Sequence, residues 1–266
     1  MKQKFYVDNF AIFSYAEADG RRVYAQLDTG AQRSFIYPES KIRPLAVRER
    51  RVAAAIGSSV TTAGRVMLLR FLGREFKNVD VNILSKSSLE KYSTAPEMTI
   101  GADLLYSFEG ISFDFEYGMV GETPKRHPGA RKVDVQMAGG LCFFPLCLSY
   151  MRLNSLFDTG AGYSILNMRV EAELKSEIHE TGMVMVTDPA GGKRKMKTFT
   201  CSSFSIAGLT RKAAKFLVLD LTWLEDVLGT KVDFILGVNM MKSMRWDIFP
   251  KRGFLHVSLA TKQNVS

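Results

Sequence analysis

The sequence predicts a mainly β protein made of two tandem halves, each a small closed or nearly closed barrel, related by a pseudo-two-fold axis. Three observations carry this reading. The words LDTGA (27–31) and FDTGA (157–161) recur in register within 266 residues. Each follows an apolar hairpin pattern and is answered, late in its half, by an apolar-Gly pair and a short helical stretch. Most of the remainder is short β-branched or aromatic runs between turn signals.

The elements follow in order. FAIFSYAEADGRRVYAQL reads as a hairpin turning at Ala18-Asp19-Gly20, and LCFFPLCLSYMRLNSLF as its counterpart, turning at Arg152 to Asn154. LDTGAQRSFI and FDTGAGYSIL then share Asp, Thr, Gly, Ala and Ser position by position. One such four-letter word is expected in roughly one chain in two hundred of this length, so two aligned copies are not chance. Strand runs follow, broken by small residues at Ile56-Gly57-Ser58-Ser59 and at Pro189-Ala190-Gly191-Gly192. TIGADLLYSF and FILGVNMMKSM supply the late glycines, Gly101 and Gly237, and each half then closes with an aromatic-Asp strand, Phe113-Asp114 and Trp246-Asp247. Residues 85–92 and 221–228 also read as helical. Such a repeat is a tandem duplication: a first lobe at 1–122, a basic Pro/Gly-rich linker at 123–132, and a second lobe at 133–266.

Composition narrows the function. The chain is 46% hydrophobic with a formal net charge of +9, its Lys and Arg scattered or in small clusters at 48–51, 125–132 and 193–197. No nucleic-acid motif accompanies them, so they read as solvated faces and no nucleic-acid partner is expected. The longest strongly apolar run, 141–151, is too short for a bilayer and contains Pro145. No membrane insertion is expected. The N-terminus MKQKFYVDNF lacks a signal-peptide pattern. That favours a cytoplasmic protein, or a periplasmic or secreted one if a leader has been removed. Three cysteines do not make a disulfide framework; Cys142 and Cys147 could pair across a bend, but core thiols are the favoured reading. His127, His179 and His256 lack metal-ligand spacing, and no cysteine has a nearby His to activate it. Gly139-Gly140 and Gly191-Gly192 are turn signals rather than phosphate loops. The 13 methionines read as core filler.

The repeat itself suggests chemistry. Two carboxylates at contact distance cannot both ionise, so one holds a proton while the other is free to accept one. Such a pair supplies a general base and a general acid at one pH. A residue near a two-fold axis meets its own copy, which is a reason to write one acidic turn twice. Asp28 and Asp158 are therefore the candidate pair. Thr29 and Thr159 can hydrogen-bond across the axis. Gly30 and Gly160 let the backbone turn tightly and bring its N–H groups to the carboxylates. Ala31 and Ala161 offer the carboxylates no hydroxyl, so a milder acidic optimum is expected. The competing reading, Asx-turn caps, fits one such turn better than two in register. Asp114 and Asp247 read as turn or surface carboxylates.

These motifs resemble those of the aspartic peptidases, in particular the single-chain bacterial proteins whose two lobes are each retroviral-protease-like. The matching residues are Asp28-Thr29-Gly30-Ala31, Asp158-Thr159-Gly160-Ala161, Ile100-Gly101 and Leu236-Gly237, and the likeness spans nearly the whole chain. The resemblance implies a two-lobed acid-protease fold and an endopeptidase that needs no cofactor or metal. It implies Asp28 and Asp158 as the catalytic pair, a peptide or protein substrate in the inter-lobe cleft, and a monomer with internal pseudo-dimer symmetry. It also implies flaps at Ile56, Gly57, Ser58 and Ser59 and at Pro189, Ala190, Gly191 and Gly192. Lys193, Arg194 and Lys195 could bias that cleft towards acidic peptides. Two departures stand out. Ala102 and Val238 follow the late glycines where retroviral-type halves often carry Arg, so a lobe-stabilising ion pair is expected to be missing, and the first flap holds no tyrosine. The alternative is a catalytically silent or highly target-restricted peptide-binding module on the same fold.

Overall fold

The computed structural model describes residues 1–54, 57–84, 92–122, 127–187 and 193–260. They form three sheets, two of which are copies of one another. The first has the spatial order Tyr6–Asp8, Ala11–Ala18, Arg21–Leu27, Met98–Ile100, Phe35–Ile36, Arg74–Leu84, Gly57–Phe71, Leu45–Ala54. The second repeats it strand for strand: Gln136–Ala138, Leu141–Leu148, Met151–Phe157, Phe234–Leu236, Ser164–Asn167, Leu209–Leu219, Lys193–Ile206, Ile178–Thr187. Each sheet curls until its second strand meets its long seventh one, at Glu17↔Arg70 and Cys147↔Ser205, closing a small barrel.

The topology explains the late glycines. Arg21–Leu27 and Phe35–Ile36 flank Met98–Ile100, so the turn at 28–34 must cross over the end of that central strand. The residue ending the strand is Gly101, where a Cβ would stand 2.8 Å from Ala31 O and 2.7 Å from Arg33 C. Gly237 is in the same position, with Ala161 O at 2.7 Å and Tyr163 C at 2.7 Å. Only a residue without a side chain lets the two segments pass this closely. The short helices Ala102–Leu105 and Val238–Met241 start there, each packing buried apolar residues inward.

The third sheet joins the halves. Its six strands run Lys2–Lys4, Met119–Glu122, Ile111–Asp114, Met244–Phe249, Phe254–Leu259, Arg131–Asp134, and the halves meet where Ile111–Asp114 pairs antiparallel with Met244–Phe249. One face is apolar, with Ile111, Phe113, Trp246 and Ile248 all fully buried. Phe113, Phe144 and Trp246 pack around Phe157, the residue that precedes Asp158. The core is thus continuous from the joining sheet to the floor of the second acidic turn.

Several expectations need correction. The second hairpin turns at Ser149–Tyr150, where Ser149 takes φ 53°, and Arg152 to Asn154 lie in strand. Cys142 and Cys147 are both free on the single strand Leu141–Leu148, and the strand stays extended through Pro145, so no bend brings them together. Asp114 and Asp247 are not surface residues: they are 5% and 1% exposed. Arg245 binds both, with Nη1 2.8 Å from Asp114 Oδ2 and Nε 3.4 Å from Asp247 Oδ1. An ion pair between the halves is therefore present, built on the joining sheet rather than after the late glycines. Not all methionines are filler, since Met67, Met168, Met183 and Met185 are exposed. The segment 222–228 is helical, while 85–91 lies outside the described residues. No helix is long and apolar enough to cross a membrane among the described residues.

Candidate active site

The two acidic turns meet where the barrels face each other. Asp28 follows Leu27, the last residue of its strand, and its N–H donates to Ile100 O at 3.0 Å; Asp158 N–H donates likewise to Leu236 O at 3.1 Å. Parallel pairing of Leu27 with Ile100 and of Phe157 with Leu236 fixes where each chain turns. The turn then folds its own amides onto the carboxylate. Asp28 Oδ1 accepts from Gly30 N and Ala31 N, both at 2.9 Å. Asp158 Oδ1 accepts from Gly160 N at 2.8 Å and Ala161 N at 3.1 Å.

The threonines lock the turns to each other. Thr29 N–H donates to Thr159 Oγ1 at 3.0 Å and Thr159 N–H to Thr29 Oγ1 at 2.9 Å. Each hydroxyl then donates onward across the interface, Thr29 to Phe157 O at 2.9 Å and Thr159 to Leu27 O at 2.8 Å. Both threonines are fully buried, so every one of these bonds is made away from water, where leaving one unmade is expensive.

Glycine at 30 and 160 is a steric demand. A Cβ on Gly30 would lie 2.3 Å from Asp158 Cγ, and one on Gly160 would lie 2.2 Å from Asp28 Cγ. Each carboxyl group therefore lies over the backbone of the opposite turn, beside the other carboxyl group. The Asp158 carboxyl is held well above the usual carboxylate range, first by burial and then by the charge of Asp28, against the opposing pull of the Gly160 and Ala161 amides.

A further layer was not read from the sequence. Ser34 Oγ accepts from Gly101 N–H at 2.9 Å and donates to Asp103 Oδ1 at 2.8 Å. Ser164 repeats this with Gly237 N–H and Asn239 Oδ1, both at 2.9 Å. The signal was available: Ser34 and Ser164 align, and Asp103 and Asn239 stand two residues after the late glycines. Tyr106 lies buried behind the first turn, beside Thr29, and burial pushes its phenol well up. Nothing in the repeat marks it, since Lys242 occupies the equivalent position.

Of the proposed flap residues, Gly57, Ser58 and Ser59 open the strand Gly57–Phe71, whose hairpin partner ends at Ala54. Ile56 and Pro189, Ala190, Gly191 and Gly192 lie outside the described residues. Lys193, Arg194 and Lys195 are exposed on a ribbon where, among the described residues, they pair with 185–187.

Comparison with known proteins bears on the fold. The family model described as aspartyl protease matches residues 150–240. No curated protein sequence matches the chain. Among solved structures, the aspartic proteinase from Irpex lacteus superposes with a TM-score of 0.64 at 12% identity, covering 100% of this chain and 98% of that one. Residues 150–240 thus match an aspartyl protease family model, and over its whole length the chain has the two-lobed β fold of an aspartic proteinase.

Proposed function

We propose that this chain is an aspartic endopeptidase in which Asp28 and Asp158 share one proton and turn a water molecule against peptide bonds. The observation that supports this is the contact of the two carboxyl groups, one from each half, over an interlocked pair of threonines. The ionised carboxylate takes a proton from water as the oxygen attacks the carbonyl carbon. The protonated partner gives its proton to the carbonyl oxygen, forming a neutral gem-diol. Collapse of that diol sends a proton to the departing nitrogen and returns one to the pair, so the site is regenerated. The four turn amides hold both carboxyl groups in place during these transfers, which limits reorganisation as charge moves. The peptide lies between the halves, beneath the hairpins of Leu45–Ala54 with Gly57–Phe71 and of Ile178–Thr187 with Lys193–Ile206.

The test is cleavage of an unfolded protein such as casein from about pH 3 to pH 7.5, with wild type, Asp28→Asn and Asp158→Asn side by side. Wild-type cleavage that disappears in both variants and is blocked by a statine-type transition-state mimic is expected. Cleavage that survives in either variant would overturn the shared-proton assignment.

A further inference from the structure

An open depression lies beside the Asp28 turn of the first barrel, where Arg33 and Asp103 reach it. An open cavity of about 530 Å³ is lined there by Arg33, Arg74 and Lys77, with Phe76 and Leu104 as apolar wall. That volume falls in the range of small-molecule sites. Three carboxylates also border it, and each is engaged. Glu75 accepts from Arg70 Nε at 2.8 Å, and Asp80 is 2.8 Å from Arg65 Nη2. Asp103 accepts from Ser34 N and Oγ and from Leu104 N.

The cations are engaged differently. Arg74 donates to Ser107 O at 3.1 Å, and its guanidinium rests against Phe108 at 5.1 Å and Phe76 at 5.9 Å, which holds the charge at the cavity wall. Arg33 and Lys77 are exposed and form no ion pair with a carboxylate among the described residues. Arg70 is shared between Glu75 and Glu17 and Asp80 is paired with Arg65, so Arg33, Arg65, Arg70, Arg74 and Lys77 meet Glu17, Glu75, Asp80 and Asp103, an excess of one positive charge at the cavity. A guanidinium held on aromatic rings, a second on a turn and an exposed ammonium suit a ligand with two or more negative oxygens.

We propose that this cavity binds a small polyanion, a molecule bearing phosphoryl or clustered carboxylate groups, held by Arg33, Arg74 and Lys77. Its place in the fold gives such binding a consequence. Arg33 belongs to the turn that carries Asp28, and Asp103 is the acceptor that fixes Ser34 at the end of that turn.

Isothermal titration with pyrophosphate and with citrate tests this on the resting protein, so its outcome is independent of peptide cleavage. Ionic strength is held at about 0.15 M with sodium chloride, so that general screening is constant. Saturable binding of at least one probe is expected, weakened about tenfold in each of Arg33→Gln and Lys77→Gln, as for a lost charge-assisted hydrogen bond. Both residues are exposed, so both variants keep the wild-type melting temperature. Lys212→Gln, an exposed lysine on the other lobe, keeps wild-type affinity. No saturable heat with either probe, unchanged affinity in the two cavity variants, or an equal loss in Lys212→Gln overturns the proposal.

Discussion

A single methyl group at Gly30 tests whether the two turns work as one unit. In Gly30→Ala the new Cβ would lie 2.3 Å from Asp158 Cγ and 2.4 Å from both its oxygens. Ordinary contact starts at 3.4 Å, so the carboxyl group must retreat by about 1 Å, a displacement that in a preorganised site can cost on the order of 100-fold in rate. Retreat is opposed by the Gly160 and Ala161 amides at 2.8 and 3.1 Å, so it strains the second turn although the mutation is in the first. The backbone at Gly30 is not in the left-handed region, so alanine adds no conformational strain of its own. Steady-state cleavage of a short reporter peptide should show the loss mainly in kcat, with KM little changed, because the perturbation falls on the reacting groups. Gly160→Ala should behave alike, since its Cβ meets Asp28 at 2.2 Å. A Gly30→Ala enzyme folded and within about threefold of wild-type kcat would refute the argument that the turns are in steric contact through this glycine.

Three other outcomes follow from the same geometry. Arg245→Met leaves Asp114 and Asp247 buried without their cation and should cost roughly 3–5 kcal/mol by calorimetry; adding Asp114→Asn and Asp247→Asn should recover most of it, and failure to recover would mean that the arginine acts through packing. Thr29→Val orphans the Thr159 N–H and the Phe157 carbonyl, each worth about 1–3 kcal/mol when buried, so a clear drop in melting temperature should accompany loss of cleavage. Asp158 binds its proton more tightly folded than unfolded, so stability is lost as pH rises from the ordinary carboxylate range through its raised folded value. Relative to wild type, the melting temperature of Asp158→Asn should therefore climb with pH across that window; a pH-independent difference between the two would sink the assignment.

Much of the fold was legible because duplication turns one weak pattern into two that must agree. The aligned acidic turns, the late apolar-Gly pairs and the closing aromatic-Asp strands each appear once per half, and the two eight-stranded sheets repeat strand for strand. What misled the reading was local. Arg152-Leu153-Asn154 looks like a turn by composition, yet the hairpin turns three residues earlier, where Ser149 adopts a left-handed conformation. Asp114 and Asp247 looked solvated because a lone carboxylate usually is. Their partner, Arg245, reaches Asp114 only through the pairing of strands from opposite halves. Ser34 and Ser164 were visible as aligned letters, but their acceptors lie 69 and 75 residues away.

The sequence by itself determined that the acidic turn is written twice, that each copy ends a buried strand, and that glycine follows at fixed places. Those are properties of short segments, set by alternation, turn chemistry and steric size. Only the tertiary structure decided that the carboxyl groups meet, that threonine hydroxyls cross between the turns, and that a largely buried arginine joins the halves. It also decided that Arg33, Arg74 and Lys77 line a cavity beside the Asp28 turn. Each of these depends on an angle or distance between segments some 30 to 130 residues apart, and such relations follow from how the sheets pack rather than from any local pattern.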